Sequence, residues 1–223
     1  MTFKLILSAI NEDLFESFKK HFAKFPQVQV VFAPFEQTEF DCVVSAANSF
    51  GLMDGGVDQC ITDYFGGQMM KRLQQEVLNQ YYGEQPVGTS MIVRGNEIPD
   101  AKNKYVAHTP TMRIPMDINR TSNVYAAMKA MLIAVEQHNS KCYLSGSDFE
   151  DTEIKTVVCP GLGTNAGRVP AEEAAKMMSL ALHHFLNPPK AIDWYFATTR
   201  HGEIQNREIG DELDKIDMSL FES

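Results

Sequence analysis

The chain has 223 residues, of which 44% are hydrophobic and 22% charged, with a formal net charge of −9. That length suits one domain with a core of its own and leaves little for a second. The acidic balance argues against binding nucleic-acid backbones, which takes clustered Lys and Arg, and no apolar run approaches the roughly 18–20 residues of a membrane span.

Short runs rich in Val, Ile, Phe and Tyr predict strands, and apolar residues at helical spacing predict helices. Phe3–Ser8 reads as the first strand; it lacks the long apolar stretch and cleavage site of a signal peptide. Asn11–Lys24 reads as a helix with Leu14, Phe15, Phe18 and Phe22 on one face. Strands at Val28–Ala33 and Asp41–Ala47 follow, then a helix opening near Gly56 and another over Gly67–Tyr82. Thr89–Arg94 and Lys104–Thr109 read as strands and Thr121–His138 as a helix. The acidic stretch Ser145–Glu153 reads as a surface loop. Lys155–Cys159 is a strand, Pro170–Leu186 a helix, and Ala191–Ala197 the last strand.

Strands alternating with helices imply an α/β/α sandwich around a mixed, mostly parallel sheet of six or seven strands. Cys42-Val43-Val44 and Thr156-Val157-Val158-Cys159 are continuous apolar runs, as expected of strands covered on both faces. Residues 1–209 form the expected domain and 210–223 an acidic tail. The cysteines at positions 42, 60, 142 and 159 include no CxxC pair, and no His cluster completes a zinc site, so neither a metal nor a cofactor is expected. Cys42, Cys60 and Cys159 read as buried reduced thiols, which fits a cytoplasmic setting.

Two segments carry chemistry. In Ser45-Ala46-Ala47-Asn48-Ser49-Phe50-Gly51-Leu52-Met53-Asp54-Gly55-Gly56-Val57-Asp58, a buried strand ends in Asn48 and a glycine-containing loop leads into a helix. Glycines let backbone approach a ligand, and a helix N-terminus offers free N–H groups to an anion. Ligands of open α/β sheets sit at the carboxyl ends of strands. The plainer reading is a turn at Gly55-Gly56 with Asp58 decorating the first helical turn. The second segment, Pro160-Gly161-Leu162-Gly163-Thr164-Asn165-Ala166-Gly167-Arg168-Val169-Pro170, also joins a buried strand to a helix, and its glycines can curve backbone around a diphosphate. Arg168 either pairs with a phosphate or faces solvent. His108, at the end of Lys104–Thr109, reads as a packed histidine before an acid or base.

Ala46-Ala47-Asn48 followed by Gly55-Gly56-Val57-Asp58 resembles the signature of macrodomains, which bind ADP-ribose, and the Asn48–Asp58 spacing resembles their hydrolytic MacroD-type branch. The resemblance implies that Asn48 contacts the distal ribose and that Asp58 activates a water or orients substrate at the scissile bond. It implies ligand contacts from Ala47, Gly55, Gly56 and Val57. The second loop resembles the family's diphosphate cradle, which implies contacts from Gly161, Gly163, Thr164, Asn165, Ala166, Gly167 and Arg168. Ser45 stands where the family has Asn, and Met53 and Asp54 where it often has Gly. The family's adenine-reading Asp is replaced: the stretch is Ala33-Pro34-Phe35-Glu36, which leaves Phe35 and Glu36 as candidates for the adenine end, with Thr198–Glu203 lining it. The implied function is ADP-ribose binding with hydrolysis from a protein or other acceptor. A non-catalytic ADP-ribose reader and an ADP-ribose 1″-phosphate phosphatase are the alternatives.

Overall fold

The computed structural model describes residues 1–95, 104–145 and 151–205. The chain divides into two compact units, Met1–Phe185 and Leu186–Ser223. The first holds a six-stranded sheet made of β1 (Lys4–Ala9), β2 (Val28–Phe32), β3 (Cys42–Ser45), β4 (Met91–Gly95), β5 (Lys104–His108) and β6 (Thr156–Cys159). Between them run α1 (Glu12–Phe22), α2 (Gly56–Phe65), α3 (Met69–Tyr81) and α4 (Asn123–Ser145), and α5 (Ala171–Leu186) follows β6.

The strand order is β2-β1-β6-β3-β5-β4. Every neighbouring pair is parallel except β4 and β5. The order grows one way from β1 to β2 and the other way from β3 to β5, with the late strand β6 inserted between the halves. Cys42 and Val43 therefore pair with Val157 and Val158. The chain segments that follow β3 and β6 leave the sheet side by side, at the crevice where α/β sheets bind ligands.

The alternation of side chains sorts the two faces. Ile6, Val43, Val93, Val106 and Val158 share one cluster with Ile61 and Phe65 of α2 and Met69, Leu73 and Val77 of α3. On the opposite face the ring of Tyr105 meets His138 of α4 at 4.8 Å, and Phe32 meets Phe15 of α1 at 5.3 Å. β3 is buried along its whole length, as its unbroken apolar run requires. α1 begins where Asn11 accepts from the Leu14 N–H at 2.9 Å, satisfying one of the free donors of the first turn.

Three expectations are corrected. Ala191–Ala197 is not a strand: α6 (Trp194–Gln205) occupies most of it and takes in Thr198–Glu203. Trp194, Tyr195 and Phe196 suit a strand by type, but Asp193 Oδ1 accepts from the Phe196 N–H at 2.7 Å, a helix cap that sets the local structure. Cys60 is exposed, because it falls on the outer side of α2, whereas Cys42 and Cys159 are buried and burial pushes both thiols upward into inertness. α4 runs on to Ser145, so the acidic loop starts later than expected; residues 146–150, and the tail from 206 onward, lie outside the described residues.

Candidate active site

The segment after β3 is shaped by one side chain. Asn48 Oδ1 accepts from the N–H groups of Phe50 (3.0 Å) and Leu52 (3.3 Å), while its Nδ2 donates to the Leu52 carbonyl at 2.7 Å. An Asn amide can hold its own chain in this way because it offers both donors and acceptors. The side chain is buried, and the Leu52 carbonyl takes one of its two Nδ2 hydrogens. Met53, unusual at its position, sinks into the core. Thr62 Oγ1 lies 3.1 Å from the Met53 carbonyl and 3.0 Å from that of Asp58, which fixes where α2 begins.

α2 starts without a side-chain cap. Gly55 and Gly56 precede its first full turn, and Gly56 has φ +57, a left-handed conformation that side chains resist. A Cβ on Gly56 would lie 3.2 Å from the Asn165 amide nitrogen. The loops after β3 and β6 thus face each other across this glycine. Ala47 is buried, Val57 half-buried, and Asp54 exposed.

Asp58 sits in the first turn of α2 and is 7% exposed. Its Oδ1 accepts from Ser45 Oγ at 2.7 Å. Among the described residues its Oδ2 has no hydrogen-bond partner. Burial raises the carboxyl pKa to about 6; the Ser45 hydrogen bond opposes the rise, and the charge of Asp54 adds to it. The group is therefore ionised at neutral pH yet close enough to that range to accept and return a proton.

In the second loop Leu162, Gly163, Gly167 and Val169 are buried, while Asn165, Ala166 and Arg168 are exposed, with Gly161 and Thr164 between. The Val169 N–H reaches back to the Gly163 carbonyl at 3.1 Å and the Arg168 N–H to that of Asn165 at 2.9 Å. A Cβ on Gly167 would come within 2.5 Å of the Gly163 carbonyl oxygen, so only glycine fits this tight curl. Among the described residues no group of His, Cys, Asp and Glu is arranged to hold a metal.

The stretch 109–118 ties the loops together, a role its sequence does not disclose. The pairing of β3 with β5 continues beyond the strands through Ala47 N–H to Thr109 O, Thr111 N–H to Ala47 O and Ser49 N–H to Arg113 O, all 2.9–3.1 Å. At its far end the Ile118 N–H donates to the Gly167 carbonyl at 3.0 Å, and Ile118 is buried beneath that loop. Gln85 adds a further support, its N–H donating to the Ser49 carbonyl at 2.8 Å.

His108 is packed and fully buried beside Ser45, its Cα partner on β3. Its Nδ1 lies 2.6 Å from Gln85 Oε1, and Gln85 Nε2 donates to the His108 carbonyl at 3.2 Å. This orientation of Gln85 places the ring proton on Nδ1 and leaves Nε2 bare. Burial lowers its pKa to about 3, so the ring is neutral and no proton donor at physiological pH. Phe35 is also committed to the interior, packed against Phe40 and Tyr64, while Glu36 is exposed.

His108 and Asp58, both buried, act oppositely on stability. His108 has a lowered folded pKa, so its contribution is present above about pH 6.5 and lost as the pH falls towards 3. Asp58 has a raised one, so its contribution is present below about pH 3.8 and lost as the pH rises through 6. Asp58→Asn removes only the second. The stability advantage of the native chain over this variant should be about 2 kcal/mol larger at pH 4 than at pH 7; urea unfolding at the two pH values measures it.

The Macro domain family profile matches residues 44–178, from the end of β3 through both loops to the middle of α5. The chain belongs to the macro domain family. An uncharacterized protein of Aquifex aeolicus is 30% identical over 169 residues, covering 74% of this chain and 86% of that one. ADP-ribose glycohydrolase MACROD2 of Xenopus laevis is 28% identical over 153 residues, 67% of this macrodomain chain but only 31% of that longer protein. Among solved structures, the Oceanobacillus iheyensis macrodomain with ADP superposes with a TM-score of 0.51 at 18% identity, covering 82% of this chain and 90% of that one. The macrodomain fold agrees with the observed α/β/α layering and mostly parallel sheet.

Proposed function

We propose that this macrodomain binds ADP-ribose between its two loops and hydrolyses it from a mono-ADP-ribosylated protein or other acceptor. One observation carries the reading: a carboxylate with one oxygen anchored and one open, at the start of an uncapped helix, opposite a glycine-curled loop. The N–H groups at the start of α2 and in the loop Gly161–Gly167 suit a diphosphate, with Arg168 at the rim. Asn48 meets the distal ribose with its remaining N–H. Glu36, exposed after β2, stands at the adenine end. The named activity of MACROD2 and the ADP held by the O. iheyensis macrodomain support this assignment. Free thiols in the described chain fit a cytoplasmic setting.

In the proposed reaction a water oxygen bonds to the anomeric carbon of the distal ribose as the bond from that carbon to the acceptor breaks. One water proton passes to Asp58 Oδ2 and then to the departing acceptor, giving ADP-ribose and free acceptor. The competing reading is a reader without chemistry, favoured by the closure of the Asn48 amide on its own loop. A phosphatase relying on His108 is not favoured, because that ring is sealed and neutral. Calorimetry should give heat with ADP-ribose and weaker heat with ADP, AMP and NAD. Absence of binding to ADP-ribose overturns the assignment. Binding without release of ADP-ribose from modified protein selects the reader.

A further inference from the structure

Resting on the hydrolytic reading, we infer that Ser45 is a positioning residue that decides which oxygen of Asp58 meets the attacking water. Ser45 is the last residue of β3 and fully buried, so its hydroxyl has a fixed origin in the sheet. It donates to Asp58 Oδ1 at 2.7 Å across 13 residues of chain, from the strand to the first turn of α2. A carboxylate hung on a helix turn rotates about its own bonds. A donor on a buried strand stops that rotation, and a hydroxyl-to-carboxylate bond is of the strong, charge-assisted kind. The other oxygen, Oδ2, has no hydrogen-bond partner among the described residues. The two oxygens are thereby made unequal: one is structural and one reactive.

The charged and titratable groups around this pair are few. Asp54, in the loop before α2, is exposed and raises the proton affinity of Asp58. On β5, His108 stands beside Ser45 but is neutral, its Nδ1 held by Gln85. Ser45 thus favours the ionised, oriented form of Asp58, against burial and against Asp54. A residue with an ordinary packing role in β3 would leave both the orientation and the proton affinity of Asp58 untouched.

The test uses the full chain and the variants Ser45→Ala and Ser45→Thr, with turnover of a mono-ADP-ribosylated protein, calorimetric binding of ADP-ribose, and NMR titration of the Asp58 carboxyl. Ser45→Ala should bind ADP-ribose as the native chain does and lower kcat about tenfold or more. Its pH–rate profile and the Asp58 titration should both move upward by about one unit, the scale of a lost hydrogen bond to a charged group. Ser45→Thr, which keeps the hydroxyl, should restore both. An Asp58 titration unmoved in Ser45→Ala, or kcat unchanged with an unmoved profile, overturns the inference. Failure of the underlying reading looks different. Asp58→Asn would then hydrolyse as well as the native chain, or the native chain would not hydrolyse at all, while the carboxyl titration still reports whether Ser45 holds Asp58.

Discussion

Asp58→Asn should lower the rate of ADP-ribose release from a mono-ADP-ribosylated protein by about 10²–10⁴-fold, the range for removing a general base, while leaving ADP-ribose affinity nearly unchanged. The amide keeps the size of the carboxyl and can still accept from Ser45, so the start of α2 should survive. What it loses is the capacity to take a proton at Oδ2. In the native chain, kcat/KM should rise with pH through about 6 and then level, because only ionised Asp58 accepts a proton and its pKa stands near that value. The variant should show no such inflection. A single-turnover assay with labelled ADP-ribose, paired with calorimetry, separates the two effects. Native-like release by the variant would remove Asp58 from the chemistry.

Asn48→Ala should act on binding as well as turnover. Three hydrogen bonds from this amide hold the loop between β3 and α2, and each is worth about 1 kcal/mol net. Losing them makes the loop's ordering a cost of every binding event. A loss of about 3 kcal/mol corresponds to affinity for ADP-ribose weakened about 100-fold. This differs from the outcome expected if Asn48 merely touched the ribose, where a single lost contact would weaken binding about tenfold. Calorimetry of Asn48→Ala beside Asp58→Asn distinguishes a loop-shaping residue from a reacting one. Affinity equal to the native chain's would show that the loop keeps its form without the amide.

Much of this molecule is legible in its residues. The unbroken Cys42-Val43-Val44 and Thr156–Cys159 runs announce the central strands, and the glycines after them announce loops at one end of the sheet. Legibility fails where a residue's meaning depends on a distant partner. Ser45 reads as a departure from the family pattern, and only the return of α2 over the sheet gives its hydroxyl a carboxylate to hold. Met53 reads as a misplaced bulky residue until the core that receives it is in view. Gln85 carries no local signal of its role beneath Ser49 and beside His108. The aromatic run at Trp194 reads as a strand because residue type outweighs the cap at Asp193 in a short window. Cys60 reads as buried because its neighbours are apolar, although helical phase turns it outward.

The tie between Arg113 and Ile118 limits how the cleft behaves. One end is fastened to Ser49 and the other to Gly167. Five residue steps of extended chain reach at most about 18 Å, so this strap acts as a caliper on the mouth of the cleft. The two jaws part only as far as the strap reaches, and on the proposed function a modified protein would offer its nucleotide end-on, with its own bulk outside. Lengthening the strap by a few glycines should widen the gape and loosen the grip, with the diphosphate end of the ligand the first to feel it.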